Sequence, residues 1–159
     1  MNPFQSHKIL SQDKAIKTAQ SLHKQNKTIV FTNGCFDILH PGHVYYLAEA
    51  KKHGDILWIG LNSDSSVKTI KGPSRPIHTE QARAFVLSHL DSVDYLTIFN
   101  EKNPINIISI IQPSIHIKGG DYNKETLIET PTVESYGGSV IIKPFLEGFS
   151  TTAILDKQT

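Results

Sequence analysis

The sequence predicts an α/β protein: a doubly wound, mainly parallel five-stranded sheet with helices on both faces. Three observations lead there. Five short apolar runs, β-branched or aromatic and bounded by Gly, Pro, Asn or Asp, recur along the chain. These runs are continuously apolar rather than alternating, as strands buried on both faces are. Helical patterns lie between them, and strand–helix alternation favours parallel strands joined by crossovers.

The elements follow in order. Ser11 is placed to cap a first helix running to about Lys24. "TIVFT" (Thr28 to Thr32) is the first strand, and the loop "NGCFDILH" follows it. Pro41 fixes its own φ and lacks an N–H, so it suits a first helical position with His40 as N-cap. That helix is expected to turn Val44, Leu47 and Ala48 inward and to end at Gly54. "DILWIGLN" (Asp55 to Asn62) is the second strand, after which a basic loop leads to a helix capped by Thr79. Ala82, Phe85, Val86 and Leu90 are expected on one face of that helix. "YLTIF" (Tyr95 to Phe99) precedes "INIISII", with Asn103 as N-cap and Pro104 at the first helical position. "SIHIK" (Ser114 to Lys118) and "SVIIK" (Ser139 to Lys143) complete the sheet, and Ser150 caps a last helix through "TTAILDK".

Composition bounds the function. A length of 159 residues suits one domain, 1–159, with a single core. With 38% hydrophobic and 19% charged residues, disorder and coiled coil are excluded. A net charge of +1 gives no bulk attraction for nucleic acid or an anionic membrane, so neither is an expected partner. Phosphate chemistry must then come from local geometry. The one cysteine, Cys35, allows no intrachain disulfide and fits a reducing compartment. The start "MNPFQSHKILSQDK" has no apolar run resembling a signal peptide, and no stretch reaches membrane-spanning length. A cytoplasmic protein is expected.

Chemistry concentrates in "FTNGCFDILHPGHVYYLAEAKKHG" (Phe31 to Gly54). A strand there hands over to a helix N-terminus, whose free N–H groups and partial positive charge make an anion site. Gly42 has no side chain to hold a phosphate away from the backbone, and Gly34 permits a tight turn. His40 and His43 can donate hydrogen bonds to phosphate oxygens as charge builds. Two histidines at a turn are also read as solvent-facing caps, and with Cys35 and Asp37 as a zinc site; Cys35 alone reads as a small packed residue. In "KGPSRP", Gly72, Pro73 and Pro76 would shape a loop presenting Lys71 and Arg75, and Arg83 follows on the next helix. Lys68 reads as a solvated cation. "IKGGDY" sets Lys118 and Asp121 around paired glycines at a strand's carboxyl end. "EGFSTTAILDK" offers Ser150, Thr151 and Thr152 at a helix start, of which capping explains one.

"GCFDILHPGH" resembles the nucleotidyltransferase superfamily with the HxGH motif, which includes cytidylyltransferases and pantetheine-phosphate adenylyltransferase. The resemblance implies a Rossmann-like fold in which His40 and His43 contact a nucleoside triphosphate. The acceptor's phosphate then attacks the α-phosphorus in line, pyrophosphate leaves, and no covalent intermediate forms. "FTNGCFDILHPGH", "NSDSSVKTIKGPSRP", "KGGDY" and "EGFSTTAIL" together are similar to the heptose 1-phosphate adenylyltransferase family, over roughly Thr28 to Leu155. That likeness implies ATP and a sugar 1-phosphate as substrates, Mg²⁺ as cofactor, and ADP-heptose for a lipopolysaccharide core as product. Cys35, Phe36, His40, Gly42, His43, Asp121, Ser150 and Thr151 would lie on the nucleotide, with His40, His43 and Lys71 catalytic. Lys71, Arg75, Arg83 and Lys118 would hold the acceptor's phosphate or the leaving pyrophosphate. Mg²⁺ would be held by phosphates and water, with no side-chain ligand. Asp37 stays open between organising its loop and touching a metal.

Many members fuse this domain behind a sugar kinase; with no kinase half in these residues, a stand-alone transferase and a homodimer are expected. Where the superfamily often places a basic residue beyond the Ser/Thr helix start, this chain has Asp156 before Lys157. Three other functions stay open. One is a cytidylyltransferase or adenylyltransferase acting on glycerol 3-phosphate or flavin mononucleotide. The others are a non-catalytic nucleotide-binding regulator and a zinc hydrolase.

Overall fold

A computed structural model describes residues 2–157; Met1, Gln158 and Thr159, the ends of the expected 1–159 domain, lie outside the described residues. Among the described residues, five parallel strands form one sheet: β1 (Ile29–Gly34), β2 (Ile56–Asn62), β3 (Tyr95–Phe99), β4 (Ile115–Gly119) and β5 (Ser139–Lys143). Their spatial order is β3-β2-β1-β4-β5. The chain winds outward from β1 to β3, then crosses back to lay β4 against the other side of β1. Beyond the carboxyl ends of β1 and β4 the connections part in opposite directions, which opens a crevice there.

Helices cover both faces. Phe31, Trp58 and Phe99 project to the side packed by α1 (Gln12–Lys24), α5 (Ile105–Ile111) and α6 (Thr130–Ser135). Val30, Leu57, Ile59 and Leu96 project to the other, packed by α2 (Pro41–Lys51) and α4 (Glu80–Ser88). α3 (Asp64–Lys71) follows β2, and α7 (Thr151–Asp156) follows β5. No helix among the described residues is long and apolar enough to cross a membrane.

Several expected details are corrected. On α2, Val44 and Ala48 face solvent, and Gly42, Tyr46, Leu47 and Ala50 face in. The phase is fixed by Tyr46, whose hydroxyl donates to Ile117 O (3.1 Å) and accepts from Thr32 Oγ1 (2.8 Å). α2 ends at Lys51, short of Gly54, which serves packing instead: a Cβ there would sit 2.8 Å from the Thr28 carbonyl oxygen. The segment read as a basic loop after β2 is α3, capped by Ser63. On α4, Arg83, Ala84, Leu87 and Ser88 are buried and Val86 is exposed. Pro104 occupies the cap position of α5, one residue later than expected, and Asn103 Oδ1 accepts the Ile105 N–H (3.1 Å). α6 was not anticipated.

Candidate active site

A cavity of about 700 Å³ opens at the crevice beyond β1 and β4. One wall is the end of β1 and the loop after it, Asn33 through Asp37, with His40, Gly42 and His43 at the start of α2. Lys71, at the end of α3, and Lys102, Asn103 and Pro104, after β3, form a second. The third is Lys118, Gly119 and Tyr122 with the 126–129 segment, and Phe145, Phe149 and Ser150–Thr152 close the cavity.

The histidine corner is built from backbone requirements. His40 caps α2, and its Nδ1 accepts the His43 N–H at 3.4 Å. That nitrogen therefore carries no proton, and in the neutral ring the hydrogen sits on Nε2 as a donor. The two rings stack at 3.7 Å with 20° between planes, and Phe36 meets His43 edge-on at 5.1 Å. Phe36 takes a left-handed φ of 43°, a conformation non-glycine residues adopt only where their surroundings dictate it. A Cβ on Gly42 would stand 3.0 Å from the His40 ring and from Phe149 Cβ, so any larger residue would displace the stack.

Burial lowers the proton affinity of both rings, and that of His43 falls to about 4, with His40 and Lys71 adding repulsion. His43 is thus neutral near pH 7, with an enclosed Nδ1 that has no hydrogen-bond partner. Lys71 and Arg83 pull the Cys35 thiol down but are outweighed by burial, which raises it, so it stays protonated. His116, wholly buried on β4, is likewise held to about 4 by burial. Both values lie below the ordinary 6.5. Below pH 6.5 the unfolded chain therefore takes up protons that the folded chain refuses. Stability is full above about 6.5 and falls with pH toward 4. A melting series over that window should show a falling midpoint, and a flat one would contradict these environments.

Asp37 resolves toward organiser. Its Oδ1 accepts the Ile77 N–H at 2.7 Å, and its Oδ2 pairs with Arg75 Nε. Burial raises its pKa, but these partners outweigh it and hold the carboxyl below its usual range. Arg75 is thereby held on Asp37 and is not among the residues that line the cavity. Arg83 is not there either. Its guanidinium is spent on Cys35 O (2.6 Å), Asn62 O (2.8 Å), His78 O (3.0 Å) and Asp64 (2.8 Å). Asp121 is exposed outside the cavity, because Gly120, at φ 117°, bonds its N–H to Lys143 O and turns the next residue out. Ser150 Oγ accepts the Ala153 N–H at 3.0 Å as a cap, and Thr151 and Thr152 line the cavity beside it. Lys157 is exposed at the C-cap of α7, away from the lining.

The structure thus brings together Cys35, Phe36, His40, Gly42, His43, Lys71, Lys118, Ser150 and Thr151, and leaves out Arg75, Arg83 and Asp121. Sequence reasoning missed Asn33, Lys102, Tyr122 and Glu129. Lys102 had a signal, a charged loop directly after a strand; Glu129 had none. The carboxylates on the lining, Asp37 and Glu129, are paired with Arg75 and Lys118. Among the described residues no group of three or more His, Cys, Asp or Glu is placed to hold an ion.

A parallel sheet with a helix N-terminus and paired imidazoles at its switch point is built to receive a phosphorylated ligand. The chain belongs to the cytidylyltransferase-like family, whose model matches residues 31–156. It is 45% identical over 159 residues to the bifunctional protein HldE of Syntrophotalea carbinolica, covering 96% of this chain and 32% of that protein. With HldE of Geobacter metallireducens the identity is 51% over 133 residues, 84% of this chain and 27% of that one. The chain therefore spans about a third of the length of these relatives. Among solved structures, a lipopolysaccharide core biosynthesis protein from Thermoplasma volcanium aligns with a TM-score of 0.64 at 29% identity, covering 76% of this chain and 97% of that one. A pantoate-beta-alanine ligase from Francisella tularensis, at 18% identity, TM-score 0.63, and coverages of 94% and 76%, shares the fold.

Proposed function

We propose that the protein transfers AMP from ATP to D-glycero-β-D-manno-heptose 1-phosphate, giving ADP-heptose and pyrophosphate. The observation that carries this reading is the His40–His43 stack at the start of α2, opening on a cavity at the sheet's switch point. The HldE relatives and the lipopolysaccharide-biosynthesis neighbour support heptose as the acceptor.

An oxygen of the acceptor's phosphate attacks the α-phosphorus and forms the new P–O bond. The bond from that phosphorus to the bridging oxygen breaks, and its electron pair leaves with pyrophosphate. His40, through Nε2–H, and His43 as a neutral ring donate to the α-phosphate oxygens as charge develops. Lys71 and Lys102 carry positive charge on the side facing the acceptor and the leaving group. Ser150 and Thr151 lie on the nucleotide side. Mg²⁺ would enter on the triphosphate's own oxygens and water. The reading also puts the protein in the cytoplasm as a homodimer.

Pyrophosphate release, measured for ATP, CTP and GTP against heptose 1-phosphate and glycerol 3-phosphate, tests it. ATP with heptose 1-phosphate should be the fastest pair. Faster release from CTP with glycerol 3-phosphate would overturn the assignment, as would nucleotide binding without any release.

A further inference from the structure

Across the sheet edge from the histidines, the cavity lining changes character from donor to acceptor. Phe31 of β1 pairs in register with His116 of β4, and their rings meet on one face at 5.7 Å. Two residues further along each strand, Asn33 and Lys118 fall on that same face, beyond the last paired residues. Lys118 Nζ holds Glu129 Oε1 at 3.1 Å and lies 5.1 Å over the Tyr122 ring. Asn33, Lys118, Tyr122 and Glu129 all line the cavity.

The hydrogen-bond inventory here does not close. Glu129 is 2% exposed, and its second oxygen, Oε2, is enclosed without a partner. Asn33 Oδ1 is enclosed without one too. Buried acceptors are almost always satisfied, so a carboxylate oxygen and an amide oxygen without partners, on two residues that line one cavity, mark places where a donor is meant to arrive. The donor does not come from beneath. His116 sits deeper on the same strand face, wholly buried, and its Nδ1–H donates to the Phe31 carbonyl at 3.3 Å. Burial outweighs the pull of the Glu129 carboxylate on this ring and keeps it from taking a second proton, so the unpartnered Nε2 is an acceptor rather than a donor. Lys118 is committed to Oε1. The cavity is the remaining direction, and the last torsion of a glutamate is soft enough to turn an oxygen into it.

We propose that Glu129 and Asn33 form a diol-reading subsite, accepting hydrogens from neighbouring hydroxyls of the bound ligand. A phosphate or a nucleobase ring nitrogen brings no hydrogen to such a pair, whereas a vicinal diol brings two. Resting on the nucleotidyl transfer proposed above, the diol has two sources: the ribose of the nucleotide or the sugar of the acceptor.

Binding by calorimetry distinguishes them and needs no turnover, so it stands apart from the assay of the reaction. The probes are ATP, 2′-deoxy-ATP, 3′-deoxy-ATP, heptose 1-phosphate and inorganic phosphate, with wild type, Glu129→Gln and Asn33→Leu. If ribose is read, wild type prefers ATP over a deoxy analogue by about tenfold, the loss of one hydrogen bond to a charged acceptor, and Glu129→Gln erases the preference. If the sugar is read, heptose 1-phosphate weakens about tenfold in the variants while inorganic phosphate binds unchanged. Should Glu129→Gln fail to fold because Lys118 loses its partner, Asn33→Leu tests the same diol without touching that ion pair. Equal losses for ligands with and without the diol, or no loss for any, would overturn the subsite.

Discussion

His43→Ala is expected to lower kcat by about 10²- to 10³-fold, the effect of deleting one donor aimed at developing charge. Its ring stacks on His40 and touches Phe36, while the helix cap belongs to His40 and stays in place. The variant should therefore fold. Because burial holds the ring neutral down to about pH 4 in the ligand-free site, it meets the triphosphate as an N–H donor rather than as a full positive charge. His43→Gln, which presents an amide donor from a flexible stem, should recover part of the loss. The measurement is single-turnover formation of nucleotide sugar with ATP saturating, since KM alone mixes binding with chemistry. Turnover near wild type in His43→Ala would remove the imidazole from the reaction and with it the proposed mechanism.

How far the fold and the site were legible depended on whether a residue's meaning is local. β3 and β5 lie where their β-branched and aromatic runs put them, and Ser11 and Ser150 cap the helices they announce. Capping is a matter of a few adjacent residues, so one sequence suffices. The His40–Pro41–Gly42–His43 corner is local in the same sense: His40 caps α2 and Pro41 opens it. α3 hid because "DSSVKTIK" is too short, and has too few apolar residues, for a helical period to stand out. Glu129 was invisible for a different reason. It reaches Lys118 only because the chain after β4 folds back over the sheet edge, and a pairing made by that path leaves no spacing rule behind.

One helix face lies differently from the sequence expectation. Ala82, Phe85, Val86 and Leu90 read as one face of α4, with Arg83 near the helix start and able to reach a phosphate. The buried set is Arg83, Ala84, Leu87 and Ser88, a rotation that carries the arginine inside. There it ties four parts of the site's frame together: the β1 loop through Cys35, the end of β2 through Asn62, the approach to α4 through His78, and the start of α3 through Asp64. A planar fork of donors suits these directions, and a lysine ammonium does not.

Arg83→Met, which keeps the length of the stem but no donor, should therefore destabilise the protein by about 2–4 kcal/mol, since three backbone carbonyls lose a charged donor while Asp64, 31% exposed, is met in part by water. Arg83→Lys should recover only a minor part. The comparison is by urea unfolding, with KM for both substrates measured on whatever fraction folds. A frame residue and a phosphate ligand make opposite predictions. Losing the frame shifts the unfolding midpoint and lets the Cys35 loop drift, so kcat falls with nucleotide affinity. Losing a phosphate contact leaves the midpoint alone and raises KM for the sugar phosphate. A wild-type midpoint in Arg83→Met would return the residue to the substrate and show that the four carbonyl and carboxylate partners find other donors.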